Sequence, residues 1–148
     1  MDGLDRVIVL INDMTIAGNT RIQKYGFLIS QLYAKKLDGF YVDWKPYLYG
    51  PYSEELKKDL DEAIANNLVT KYTTMTPSNR EFSNYTLTIK GRLKLRRITE
   101  QYHKVIKDLY DKFTELNRRP MQTILKDIYL AYPKYTVNSE IRNEVMND

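Results

Sequence analysis

Between Asn19 and Gly91 the hydrophobic pattern changes period in a fixed order, and that order limits the folds open to the chain. Ile22, Tyr25, Gly26, Ile29, Leu32 and Tyr33 recur at helical spacing. Phe40 to Tyr52 is aromatic, interrupted by proline and partly extended. It ends at Pro51-Tyr52-Ser53, where Ser53 precedes an acidic first turn and a buried helical stripe of Leu56, Leu60 and Ile64. Leu68 to Thr73 and Tyr85 to Ile89 are rich in β-branched and aromatic residues, and the polar stretch Thr74 to Asn84 joins them as a long hairpin loop. Thr20 and Gln23 are spaced as a capping box, and Tyr85-Thr86-Leu87-Thr88-Ile89-Lys90-Gly91 reads as a strand turning into a helix.

Helix, helix, strand, hairpin loop, strand is the order of a winged helix-turn-helix. The predicted class is therefore α+β, mostly α, with a long helix after the wing and a C-terminal helical extension. Residues 1–91 are the core and 92–148 the extension, within one domain, a division that 148 residues allow. Leu4, Val7, Ile8, Ile11 and Met14 place another helix in front, before the Ala17-Gly18-Asn19 break. From Thr88 a helix is predicted to about Arg118, with Leu95, Ile98, Tyr102, Val105, Leu109, Phe113 and Leu116 as its stripe. At 1.5 Å per residue it spans roughly 45 Å, against a radius of gyration of about 15 Å for a compact chain of this size. Such a helix crosses the whole body or projects from it, which leads to the expectation of a homodimer through the C-terminal helices. The competing expectation is cover by the next helix, opened by Pro120, carrying Met121, Ile124, Leu125, Ile128 and Tyr132 and stopped near Pro133. A short helix is expected after Ser139.

The absence of cysteine excludes disulfides, thiolate metal sites and a cysteine nucleophile. Asp2, Asp5, Arg6 and Asp13 interrupt the apolar residues up to Met14, a pattern of neither a signal peptide nor a membrane span. A soluble, cytoplasmic protein without a membrane partner is expected. The net charge of +4 and pI of about 9.1 favour an anionic partner.

The charge distribution is more informative than the total. From Ser53 to Asn66, Glu54, Glu55, Asp59, Asp61 and Glu62 stand against Lys57 and Lys58, which suits the helix dipole and solvent better than the phosphates a recognition helix meets. Lys90, Arg92, Lys94, Arg96 and Arg97 gather where the wing meets the long helix, Lys71 and Arg80 lie on the wing, and Arg21 and Lys24 open the second helix. These nine are the candidate DNA contacts, positioning a duplex through its phosphates; the alternative is a solvated face. Within Phe40 to Tyr52, the residues Tyr41, Trp44, Tyr47 and Tyr52 are candidate anchors for a protein partner, the alternative being that these aromatics cover the core. His103 stands without a carboxylate or second ligand nearby, and no nucleophile, base and phosphate loop occur together, so neither an enzyme nor a cofactor or metal is expected.

Arg21-Ile22-Gln23-Lys24, followed by Tyr49-Gly50-Pro51-Tyr52-Ser53-Glu54-Glu55-Leu56, resembles the YwgA-like proteins of bacteria and archaea. More distantly the pairing is similar to the Panacea domain of SocA-like antitoxins and proteolytic adaptors. The resemblance covers roughly residues 4 to 70, while the Tyr-x-Leu-Thr-x-x-Gly pattern at Tyr85 to Gly91 is similar to winged-helix regulators of the PadR and MarR kinds. It implies a winged-helix fold whose relatives act on nucleic acid or on protein. Arg21, Gln23 and Lys24 are placed to hydrogen-bond the carbonyls of the Gly50-Pro51 turn. The leading expectation is a transcriptional regulator that binds double-stranded DNA; the alternative is an adaptor or antitoxin-like module that binds protein.

Overall fold

Three side-chain caps fix where helices begin in the computed structural model, which describes residues 1–137 and Met146. The helix expected after Ser139 lies outside them. Asp2 accepts from the Asp5 N–H at the start of α1 (Gly3–Ile11), Ser53 from Leu56 N–H at the start of α3 (Glu54–Ala65), and Thr88 from Gly91 N–H at the start of α4 (Ile89–Leu116). The helix between them, α2 (Asn19–Leu32), begins instead at Gly18, with φ of +94° and no side-chain cap. The capping box expected from Thr20 and Gln23 is not formed, because the Gln23 amide is engaged with Ser53. Asn12, at φ of +54°, ends α1 earlier than Met14 and donates its amide to the Ile106 carbonyl of α4 at 3.4 Å.

Between α1 and α2 lies a strand that the pattern does not announce, β1 (Ile16–Ala17). It joins β4 (Val69–Met75) and β5 (Glu81–Leu87) in an antiparallel sheet of order β1-β5-β4, with Ile16 opposite Tyr85 and the β4–β5 ladder running from Val69↔Leu87 to Met75↔Glu81. The hairpin is longer and its loop shorter than expected: only residues 76–80 turn. There Thr76 and Arg80 close on one another, Thr76 N–H donating to the Arg80 carbonyl at 2.9 Å and Arg80 N–H to Thr76 Oγ1 at 3.0 Å. A second small sheet pairs β2 (Lys45–Tyr47) with β3 (Gly50–Tyr52), and its two prolines sit opposite each other.

The core is built around α1, where Val7 to Ile11 are all buried between α2, α3 and α4. Phe40, Tyr41 and Trp44 join it, and Phe27 meets Trp44, Tyr132 and Tyr135 edge to face. Gly91 is required at the base of α4, because a Cβ there would lie 2.2 Å from the Leu68 carbonyl oxygen.

At 28 residues, α4 is about 42 Å long. It breaks at Tyr102 (φ −121°, ψ 34°), whose hydroxyl donates to Asp38 at 2.9 Å. Beyond the break Val105, Ile106, Leu109 and Phe113 are buried within the chain, and Phe113 meets Tyr25 at 5.3 Å between ring centres. A further helix, α5 (Met121–Ala131), buries Ile124, Leu125, Ile128 and Tyr129. The apolar stripe that suggested a dimer is thus largely used within the chain, chiefly against α1, with Tyr25 of α2 on Phe113; the expected cover by α5 is the lesser part. Among the described residues no helix is long and apolar enough to cross a membrane.

Candidate binding surfaces

The nine basic residues singled out from the sequence do not form one surface. Lys24 is a correction: it is 2% exposed and its ammonium donates to the Pro51 carbonyl at 2.9 Å beneath the β2–β3 hairpin, so the backbone of a duplex cannot reach it. Arg21 is only partly exposed and is held by the Arg119 carbonyl at 2.6 Å and the Tyr25 hydroxyl at 3.1 Å. Lys90, Lys94 and Arg97 lie within about 60° on one side of α4, while Arg92 and Arg96 lie roughly 150° away at about 100° per residue. Two grooves make the division visible. The first, of about 720 Å³, is lined by Lys90, Lys94 and Arg97 with Asp5 and Asn66; the second, of about 470 Å³, by Arg92, Arg96 and Lys107 with Asn12 and Asp13. Lys94 is paired with Asp5 at 3.4 Å, and Lys90 donates to the Asn66 carbonyl at 3.2 Å. Arg80 lies beyond the last pair of the ladder, some 20 Å from its base at a strand rise of about 3.3 Å per residue. Lys71 is exposed near that base, opposite Tyr85.

The outer face of α3 is acidic in place, with Glu54, Glu55, Asp61 and Glu62 exposed. Asp59 instead turns inward, where it accepts from the Tyr41 hydroxyl at 2.7 Å; burial, then that contact, push the phenol well above its ordinary range. Glu55 pairs with Arg6 at 3.2 Å and Asp61 with Lys57 at 3.0 Å, surface contacts of about 0–1 kcal/mol each.

Of the four aromatic candidates, Tyr41 (1%) and Trp44 (9%) are core residues, and Trp44 spends its indole N–H on the Tyr41 carbonyl. That corrects their assignment as partner contacts. Tyr47 is 53% exposed, Tyr52 partly so, and their rings lie 5.0 Å apart. Two neighbours complete the exposed patch, Leu48 at 40% and Tyr49 at 46%; Tyr49 belongs to the aromatic run of the sequence, and Leu48 does not. The signal available was their place at the turn between two prolines.

The hairpin that carries this patch is fixed from beneath. Gln23 donates to the Ser53 carbonyl at 2.9 Å and accepts from Ser53 N–H at 2.8 Å, while Lys24 holds Pro51. The Ser53 hydroxyl donates to Asp43, whose other oxygen accepts from Glu55 N–H at 3.1 Å. The expectation that Gln23 and Lys24 hydrogen-bond carbonyls of this turn matches the geometry; Arg21 binds elsewhere. His103 is exposed, and among the described residues no three metal-ligating side chains gather. Comparison with family models, curated proteins and solved structures finds no match.

Proposed function

We propose that this chain is a winged-helix domain that works by holding a protein partner on the β2–β3 hairpin and the acidic outer face of α3. The winged-helix reading draws on the element order α1, β1, α2, α3, β4, β5 and the sheet order β1-β5-β4. The resemblance to YwgA-like proteins points the same way. The observation that carries the functional reading is the exposure of Tyr47, Leu48 and Tyr49 on a turn whose base is locked by Gln23 and Lys24. A rigid aromatic tip loses little entropy on binding and supplies the side chains that dominate interface energies. The carboxylates of α3 beside it select a partner with a basic segment and repel phosphates.

Capture with the full chain as bait, followed by calorimetry on the purified partner, tests this reading. Tyr47→Ala with Tyr49→Ala should weaken the complex at least tenfold while the circular dichroism spectrum stays unchanged. A partner held equally well by that variant would refute it.

A second reading is duplex DNA held through phosphates, as a transcriptional regulator would hold it. Arg92, Arg96 and Arg97 favour it, since all three are exposed and none has an ion pair among the described residues. Fluorescence anisotropy against random duplex at two salt concentrations separates the two. Submicromolar binding that weakens steeply with salt and is abolished by charge reversal at these arginines supports DNA; no binding at either salt removes it.

A further inference from the structure

A cavity of about 220 Å³ lies between the first two turns of α2 and the β2–β3 hairpin. Asn19 and Thr20 line one side, Tyr47, Tyr49 and Tyr52 the other, and Lys24 completes the wall. Lys24 is 2% exposed, yet among the described residues no carboxylate lies within ion-pair distance of it. Its ammonium has three N–H donors, and among the described residues one is used, on Pro51. A buried cation without a counter-ion is costly, so such a site gains from an arriving anion. The start of α2 adds to this, because its glycine cap leaves the first N–H groups without a side-chain acceptor. The tyrosine rings supply flat apolar walls. The volume is below the roughly 300–1,000 Å³ of drug-sized pockets and admits a fragment or a single side chain.

We propose that this cavity is a carboxylate-binding site, in which the Lys24 ammonium pairs with an anion carried on a flat apolar body. The site shares the hairpin with the proposed partner surface but does not depend on it. Its ligand is a free aromatic acid or a carboxylate presented by a peptide.

Burial lowers the Lys24 pKa to about 7, and among the described residues no charged group contributes. The neighbours that titrate are Tyr47, Tyr49 and Tyr52 on the hairpin and Tyr129 of α5, packed against Gly50; on α2 itself, Arg21 is turned toward Arg119. The binding form is the ammonium, so affinity should rise about tenfold as pH falls from 8 to 6.

The test is NMR of the full chain, following the Lys24 Cε signal during titration with benzoate, with benzyl alcohol and chloride as controls. Benzoate should give a saturable shift that neither control gives. Lys24→Met should lose the saturable response at the tyrosines, and Tyr47→Ala should weaken it several-fold while leaving Lys24 in place. A peptide ending in phenylalanine, free or amidated, separates the sources: saturation by the free-acid peptide and not by benzoate assigns the site to a peptide, and the reverse to a small acid. No saturable shift with benzoate or the free-acid peptide, or equal shifts from benzyl alcohol, chloride or the amidated peptide, overturns the proposal.

Discussion

Gln23 and Ser53, thirty positions apart, exchange two hydrogen bonds through one amide side chain and one peptide backbone, at 2.9 and 2.8 Å. Both residues are buried, at 1% and 0% exposure, so neither bond competes with water. This pair ties the cap of α3, at the end of the β2–β3 hairpin, to the second turn of α2.

Replacing Gln23 with alanine strands the Ser53 N–H in the interior, while the Ser53 carbonyl keeps the Lys57 N–H at 3.2 Å. A buried group left unsatisfied costs about 1–3 kcal/mol, so Gln23→Ala should destabilise the fold by about that much. The readout is the urea midpoint at constant m-value. A loss under about 1 kcal/mol would mean that water or the backbone replaces the amide.

Gly91→Ala brings a Cβ against the Leu68 carbonyl oxygen, a backbone atom that cannot rotate away. Overpacking of this kind costs about 1–3 kcal/mol or more, well beyond what alanine gains as the better helix former. The variant should melt at least about 5 °C lower, and calorimetry reads the shift directly.

Lys24 makes stability depend on pH in a direction opposite to that of a paired lysine. Its pKa is about 7 in the fold against 10.5 for the free group, so between those values the unfolded chain binds the extra proton. Stability therefore rises with pH across this window, by up to about 1.4 kcal/mol per unit, and the full penalty is present below pH 7. Lys24→Met should flatten the slope between pH 7 and 9. Chemical denaturation of both proteins at three pH values compares the slopes, and parallel curves would show that the group titrates normally.

The packing of α4 on α1, with α5 across a groove from it, leads to a monomer in sedimentation at high micromolar concentration. Disrupting the α5 side with Ile124→Asp should produce association or unfolding, since Ile124 is 1% exposed in the groove between α2, α4 and α5. A wild-type dimer would instead mean that the exposed residues Ile89 and Leu93 at the start of α4 act between copies.

Element types were readable where a period repeats several times. The helices around Val7, Ile29, Leu60 and Leu109 and the strands around Thr70 and Tyr85 all sit where the pattern puts them. Short or context-bound features were not. Two residues of β1 cannot display alternation, and the prolines of β2 and β3 argue against strands until they are seen to face each other. The break at Tyr102 follows neither proline nor glycine and involves a contact with Asp38, 64 positions away. Lys24 reads as a surface base beside Arg21 because burial of its charge depends on the hairpin that folds over it. The split of the basic cluster was legible, since positions 90, 94 and 97 share a side that 92 and 96 do not; counting charge around the whole circumference hid it.

The closure of Thr76 on Arg80 makes the tip of the β4–β5 hairpin a self-contained cassette. Every rung of the ladder lies below it, from Met75↔Glu81 downward. The five residues can therefore be exchanged for a dye-bearing cysteine or an epitope tag. The chain, which has no cysteine of its own, then carries a single addressable handle for immobilisation or distance measurement, some 20 Å from the base of the ladder at about 3.3 Å per residue.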